Sequence, residues 1–263
     1  MRLGSTALLI AFGIAVLALE TVRRARRRVE PWPTHTARNL VFAGIAATTV
    51  RLLETPLALP AAAMVSRRGW GITAVIGGPP WLRVALAIAL MDYTLYAWHI
   101  ATHRVPLLWR FHLVHHVDLD LDASTALRFH AGELALSVPW RLAQIVAIGV
   151  DPATLIAWQS LTLASILFHH SNTLLPARVE RLLQRVIVTP QMHAIHHSID
   201  DRQRDTNFSS GLTVWDRLHG TFRVDAAADE IAIGVPGYLQ RARVTIRRAL
   251  ALPWRTDTRE IRT

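Results

Sequence analysis

Histidine spacing is the feature of this 263-residue chain that most clearly permits chemistry. Twelve of its 13 histidines lie between His99 and His219. On a helix, residues three or four positions apart share a face, so each cluster points several imidazole nitrogens toward one place. Imidazole binds Fe, Zn, Cu and Ni, and eight or nine such groups suit two ions better than one. The clusters are HxxxH at His99 and His103, HxxHH at His112, His115 and His116, the pair His169 and His170, and HxxHH at His193, His196 and His197.

Isolated histidines have a more ordinary interpretation. We expect His35 and His219 to be hydrogen-bonded structural residues. His130 could either have such a structural role or belong to the metal site. The clusters are separated by ordered sequence, unlike a low-complexity metal-scavenging tract. A proton relay through the membrane would place histidines inside the apolar runs. The histidine clusters of this chain lie at the ends of the runs instead.

Composition narrows the class of protein. Half of the residues are hydrophobic (51%) and the mean hydropathy is positive, which favours a membrane protein. The formal net charge is +10, and all 29 basic residues are Arg. With these apolar runs, the positive charge favours anionic lipid over nucleic acid as a partner. The chain has no Cys, which excludes disulfides, thiolate metal sites and thiol catalysis.

Five apolar runs predict the membrane topology, namely residues 3–19, 40–65, 82–98, 134–150 and 153–168. One Arg precedes the first run and five follow it within residues 23–28. Because Arg clusters stay in the cytoplasm, we expect an uncleaved anchor with its N-terminus outside, and a signal peptide is the alternative. Counting crossings from there places every histidine cluster on the cytoplasmic face, in a bacterial inner membrane.

The predicted fold is all-α and integral to the membrane. About three helices span, a helical hairpin over residues 134–168 inserts, and a cytosolic helical cap carries the histidines. The hairpin helices are about 25 Å long, short for a span of roughly 30 Å. Three regions follow: membrane anchor helices over 1–81, a catalytic domain over 82–225 and a basic tail over 226–263.

Smaller features of the runs carry further expectations. In the second run, Arg51 and Glu54 share a face and could pair, and Pro56 and Pro60 predict a kink. We expect residues 174–188 to form a basic amphipathic helix, and residues 241–255 are similarly basic and apolar. Both segments are open between lying on anionic lipid and presenting a solvated face. A metal-bound imidazole usually has its other nitrogen held by a nearby polar group. The candidates for that role are Asp92, His130, Asp205 and Asn207.

Five segments, in this order, resemble the fatty acid hydroxylase/sterol desaturase superfamily. They are DYTLYAWHIATHRVPLLWRFHLVHH, TALRFHAGE, FHHSN, TPQMHAIHHS and DTNFSSGLTVWDRLHGTF, which cover about half of the chain. The chain departs from the family pattern at Ile100, Ala131 and His219. Carried over by position, the resemblance implies nine metal ligands, with His169 and His170 as alternatives for one of them. They are His99, His103, His112, His115, His116, His169 or His170, His193, His196 and His197.

The resemblance implies a di-metal enzyme, with iron as the metal and Zn as the alternative. Such an enzyme uses O2 and electrons from a separate ferredoxin, cytochrome or reductase to hydroxylate or desaturate a C–H bond of a membrane lipid. A Zn-dependent lipid hydrolase could use the same imidazoles. A metal carrier or transporter would need polar groups along the membrane core, where few are found. The spacing of the first HxxxH favours the sterol desaturase branch over the acyl-lipid desaturases.

Overall fold

The computed structural model describes residues 3–255, with side chains from residue 7 onward. These residues form helices joined by turns, with isolated bridges and no named strand among them. The prediction of an all-α chain is therefore confirmed. Arg2, and positions 256–263 of the predicted tail, lie outside the described residues. The helices are α1 (Leu3–Val22), α2 (Trp32–Thr49), α3 (Thr55–Arg68), α4 (Ile72–Ile76), α5 (Pro80–Arg104), α6 (Pro106–His116), α7 (Ala131–Ile148), α8 (Pro152–His170), α9 (Ala177–Leu183), α10 (Pro190–His196), α11 (Asp201–Arg204), α12 (Val214–Leu218) and α13 (Ile246–Arg255).

Two helical segments within residues 3–255 are long and apolar enough to cross a membrane. They are Trp32–Ile76 and Pro80–Arg104, and Ala7–Val22 is apolar but shorter. Large apolar side chains on these helices, such as Leu8, Leu52 and Trp81, are exposed instead of packed into a core. A lipid environment would cover such surfaces. These surfaces favour association with a membrane, while the number of spans and the side of the membrane that carries the histidines stay predictions.

The second run is irregular, as its prolines predict, but the irregularity precedes them. Residues Val50–Glu54 form a π-helix between α2 and α3, in which the Thr55 N–H bonds to the Val50 carbonyl. Pro56 has no N–H to donate, and its ring crowds the carbonyl four residues earlier, so the helix widens there. The predicted pairing of Arg51 with Glu54 is wrong. Glu54 turns inward toward Arg141, and Arg51 is exposed.

The predicted hairpin is present as α7 and α8. Gly149 ends α7 in the left-handed conformation at φ 87°, and the Asp151 side chain caps the first N–H groups of α8. The two helices pack on α3 and α5 around a core that includes Met91, Ile145 and Trp158. This packing holds the start of α7 and the end of α8 beside the end of α5.

A buried ionic network fixes the loop that follows α6. Asp118 accepts from His35 at 3.0 Å and from Arg38 at 2.9 Å, and the Arg128 guanidinium lies 4.0 Å away. Burial disfavours the charge on Asp118, but the charges of His35 and Arg128 outweigh it and hold the pKa of this carboxyl well below its usual range. His35 is thus the structural histidine that was expected, and it connects α2 to the loop after α6, the helix that carries the first HxxHH.

The polar part of the chain closes over the histidines. The helix predicted over 174–188 is shorter, α9, and its Arg178 and Arg181 are exposed. At the C-terminal end, α13 packs on α6 with Leu252 buried and Trp254 70% exposed. The second HxxHH cluster lies against the histidines of α5 and α6, with the His196 ring 4.6 Å from that of His99 and the His197 ring 4.3 Å from that of His116.

Candidate metal centre

Four segments bring their histidines to one place. The end of α5 carries the first pair, α6 carries the first HxxHH, the end of α8 carries His169 and His170, and α10 carries the second HxxHH. Nine ring nitrogens fall into two groups, and within each group the candidate ligand atoms lie within 4.8 Å of one another. The groups are His99, His103, His112, His116 and His196, and His115, His170, His193 and His197.

In the group of four, the ring nitrogens are arranged as ligands of a cation. The His170 Nε2 atom lies 3.0 Å from Nε2 of His115 and 3.0 Å from Nε2 of His193, and Nε2 of His193 lies 3.1 Å from that of His197. Nitrogens bound about 2.0–2.1 Å from one metal ion lie roughly 2.8–3.4 Å apart at tetrahedral or octahedral angles. The observed spacing therefore fits a metal ion between them.

Hydrogen bonds at the opposite ring nitrogens support the same interpretation. Nδ1 of His170 donates to the Ile166 carbonyl at 2.8 Å, and Nδ1 of His115 donates to the Arg128 carbonyl at 3.3 Å. A carbonyl oxygen can only accept, so in each neutral ring the proton is on Nδ1 and Nε2 presents a lone pair. Two such lone pairs 3.0 Å apart cannot bond to each other, and a shared cation removes their repulsion.

The group of five is supported in the same way. Nδ1 of His99 donates to the Phe208 carbonyl at 2.7 Å, and Nδ1 of His196 donates to the Thr206 carbonyl at 2.8 Å. Nδ1 of His112 contacts Oε1 of Glu133 at 2.9 Å. The other nitrogen of His196, Nε2, is buried with no hydrogen-bond partner. The residues present therefore fit a second metal ion.

Burial keeps the imidazoles of the second HxxHH in the form that binds metal. No member of either group is more than 9% exposed. Burial, followed by repulsion from neighbouring rings, lowers the pKa of His193, His196 and His197 well below the usual 6.5. Neutral imidazole is the species that ligates, so these three histidines are ready for metal at neutral pH.

His169 stands apart from both groups. Its ring packs 4.1 Å from that of His193, and its buried Nδ1 has no hydrogen-bond partner, but neither group contains it. Of the two alternatives left open by the spacing, the structure places His170 among the converging nitrogens.

The residues predicted to support the metal ligands differ in whether they contact a histidine directly. Asp205 lies 3.5 Å from Nδ1 of His103 and 3.0 Å from Arg104, which is the contact expected of a supporting carboxylate. Asp92 does not bond to a histidine and instead accepts from the Leu212 N–H at 2.9 Å and from Trp215 Nε1 at 2.7 Å. It therefore fixes the loop that supplies the Phe208 carbonyl.

Asn207 and His130 also act through the backbone. Asn207 adopts a left-handed φ of 52° and donates to the Met192 and Arg223 carbonyls at 2.9 and 2.8 Å. This turn orients the carbonyls on either side of it, those of residues 206 and 208. His130 caps α7 by accepting from the Gly132 N–H at 2.9 Å, and it belongs to neither histidine group.

Glu133 was missed by sequence reasoning. It lies three residues after His130 in the segment RFHAGE and one helical turn into α7, so its contact with His112 depends on how α7 packs beside α6. A buried carboxylate in the first turn of a helix that follows a histidine is a weak signal, because the helix N-terminus alone favours acidic residues there.

A cavity of about 160 Å³ opens onto both groups. Its histidine wall includes His99 and His112 of one group and His115 and His170 of the other. The rest of the wall is largely apolar and is formed by side chains including Leu95, Trp98, Phe129, Leu134, Trp140 and Ile166. The arrangement can place an apolar molecule beside two metal positions while excluding water.

Several known proteins that are similar to this chain are named as hydroxylases or monooxygenases of lipids. The chain is 28% identical to an ornithine lipid hydroxylase from Rhizobium tropici over 160 residues. This aligned stretch covers 60% of this chain and 47% of that protein. The chain is 27% identical to human alkylglycerol monooxygenase over 56% of this chain and 32% of that protein. It is 26% identical to rat cholesterol 25-hydroxylase over 57% of this chain and 50% of that protein. The chain thus spans about half the length of these relatives or less.

No solved structure shows significant similarity to the chain. A model of the family described as fatty acid hydroxylase matches residues 84–221, just over half of the chain and all nine grouped histidines. The chain therefore belongs to the fatty acid hydroxylase family, a family of oxidoreductases.

Proposed function

We propose that this chain is a membrane-bound lipid oxygenase whose two histidine groups each hold one iron ion. The observation that carries the proposal is the pair of converging nitrogen sets beside an apolar cavity. The net reaction takes one lipid C–H bond, O2, two electrons and two protons to an alcohol and water. A separate ferredoxin, cytochrome or reductase supplies the electrons, and the site faces the cytoplasm.

The metal pair, when bound, supplies the activation of O2 and the transfer of one oxygen atom to carbon. The chain's own residues do the rest. Glu133 and the carbonyls of residues 128, 166, 206 and 208 fix the ring orientations, so that the ligand nitrogens do not have to reorganise. The apolar side chains of the cavity exclude water and hold the lipid.

Hydroxylation is favoured over desaturation by the names of the relatives. The three relatives described above are named as hydroxylases or monooxygenases. A hydroxylated lipid is accordingly the product we expect first, with a fatty acyl, sterol-like or other membrane lipid as substrate.

Isotope incorporation tests this function. Membranes containing the chain are supplied with ¹⁸O2, a reduced ferredoxin–reductase pair and a total lipid extract, and lipids are compared by mass spectrometry. Membranes with the double variant His193→Ala/His197→Ala are the matched control, because it breaks only the group of four. We expect one ¹⁸O atom in a lipid product from the wild type and none from the control.

Two results would contradict the proposal. An unlabelled lipid pool from metal-loaded wild-type protein would remove the oxygenase function. A product that forms equally without O2 would favour the Zn-dependent hydrolase instead.

A further inference from the structure

A second polar cluster lies inside the apolar helices, away from the histidines. Arg141 of α7 contacts Glu54 of the π-helix, with Nε and Oε1 3.5 Å apart, and donates to Gln144 at 2.5 Å. Gln159 of α8 donates to the same Glu54 oxygen at 2.9 Å. The Arg141 guanidinium also lies over the Trp158 ring, 4.3 Å from its centroid. We call Glu54, Arg141, Gln144 and Gln159 the polar cluster.

The polar cluster connects to the cavity at the metal centre. Glu133, Ser137 and Arg141 follow one another at four-residue spacing, so they share one face of α7, and all three line the cavity. Glu133 touches a candidate ligand. Arg141 is eight residues further along, about 12 Å at the helical rise. One cavity therefore has the metal positions at one end and a guanidinium at the other.

Two observations indicate that this end of the cavity is built for a ligand. Ionisable groups within apolar helices are costly and usually have a function, and here a π-helix, a distortion common at functional sites, turns Glu54 toward Arg141. The Trp158 indole N–H, beside the guanidinium, is buried with no acceptor. Arg141 is the member of the cluster that lines the cavity, so its guanidinium is the donor available to a ligand there.

Charge selects the kind of ligand. Arg141 and Glu54 cancel each other, so a carboxylate or phosphate placed beside them would leave an uncompensated buried negative charge. An uncharged oxygen, from a hydroxyl or a carbonyl, can accept from the donors without that cost. A lipid whose headgroup carries a net negative charge is therefore disfavoured at this end of the cavity.

We propose that Arg141, held by Glu54, binds the hydroxyl or carbonyl oxygen of an uncharged lipid and sets which carbon reaches the metal pair. This inference rests on the proposed oxygenase function and names its substrate class. The oxidised carbon is then far from the recognised oxygen, because residues 133 and 141 are about 12 Å apart along α7. Arg141 is a positioning residue, because it touches the substrate far from the reacting carbon.

Ligand binding tests the proposal without O2 or reductant. The purified full chain, immobilised in detergent micelles, is incubated with tritiated hexadecanol or hexadecane, and with tritiated cholesterol or cholestane. Label retained above that of empty micelles is counted. We expect the wild type to retain the oxygenated member of at least one pair about tenfold more than its hydrocarbon, as a hydrogen bond to a charged donor implies.

Variants then assign the preference. Glu54→Gln/Arg141→Met removes both charges together and should lose the preference while retaining the hydrocarbons. Arg51→Met, an exposed arginine three residues from Glu54, is the matched control and should keep it. If the double variant fails to fold, Arg141→Lys keeps the charge opposite Glu54 and should lower the preference.

The outcomes separate this proposal from the proposed function. No preference in either pair by the wild type would overturn it, as would a preference that survives in the folded double variant. A wild type that prefers the oxygenated lipids yet never incorporates ¹⁸O would support the binding site and contradict the oxygenase.

Discussion

Replacing Glu133 by Leu should weaken one metal position and leave the other intact. Glu133 contacts only His112 among the ligand candidates, with Nδ1 and Oε1 2.9 Å apart, and His112 belongs to the group of five. Loss of such a supporting carboxylate lowers metal affinity about 10- to 100-fold, which corresponds to roughly 1.4–2.7 kcal/mol. Glu133→Gln keeps an acceptor oxygen for Nδ1, so it should cost less than Glu133→Leu.

Metal retention at a series of buffered free-metal concentrations measures this effect. Bound iron, determined by mass spectrometry of the protein, should titrate in two steps, and the Leu substitution should shift only one of them. Glu180→Leu provides a matched control, because Glu180 is a buried glutamate whose hydrogen-bond partners, Gln184 and Thr189, belong to neither group. The reasoning fails if Glu133→Leu shifts both steps equally or shifts neither.

Three further outcomes follow from the same geometry. His170→Ala should reduce bound metal from two ions per chain to about one, whereas His169→Ala should keep two; the reverse result would show that the ligand at the end of α8 was assigned wrongly. Burial lowers the pKa of His193 and similar histidines, so below pH 6.5 the unfolded chain gains protons that the folded metal-free chain cannot. Its stability should therefore fall with decreasing pH, by about 1.4 kcal/mol per such histidine at pH 5.5, and thermal melts that do not change between pH 7 and 5.5 would refute this. Asp118→Asn should destabilise the fold by about 3–5 kcal/mol, since it leaves buried cations uncompensated, whereas Asp225→Asn at an exposed ion pair should change the melting temperature little; equal effects would count against the network.

The histidine clusters could be predicted because their chemistry is local in sequence. Residues three and four apart meet on one helical face wherever the helix lies, and the apolar runs and Asp151-Pro152 turn are local signals as well. The all-α class and the α7–α8 hairpin followed from them. The division of nine histidines into five and four did not, because His115 and His116 are neighbours in sequence but turn to different groups.

The residues around the site depend on packing between distant segments. Glu54 was expected to pair with Arg51 three residues away, but a π-helix turns it toward Arg141, 87 positions along the chain. Glu133 reaches His112 only because α7 starts beside α6. Asp92 is two turns before His99 on α5, yet it holds a loop near residue 212. Such contacts depend on tertiary structure, which the spacing of residues along the sequence does not reveal.

Iron stoichiometry of the anaerobically purified full chain tests the central claim most directly. The two histidine groups predict two iron ions per chain, falling to about one in His193→Ala/His197→Ala protein that still melts cooperatively. Wild-type protein that binds one ion or none at saturating iron, or a double variant that keeps both ions, would contradict the assignment of the two groups as a metal pair.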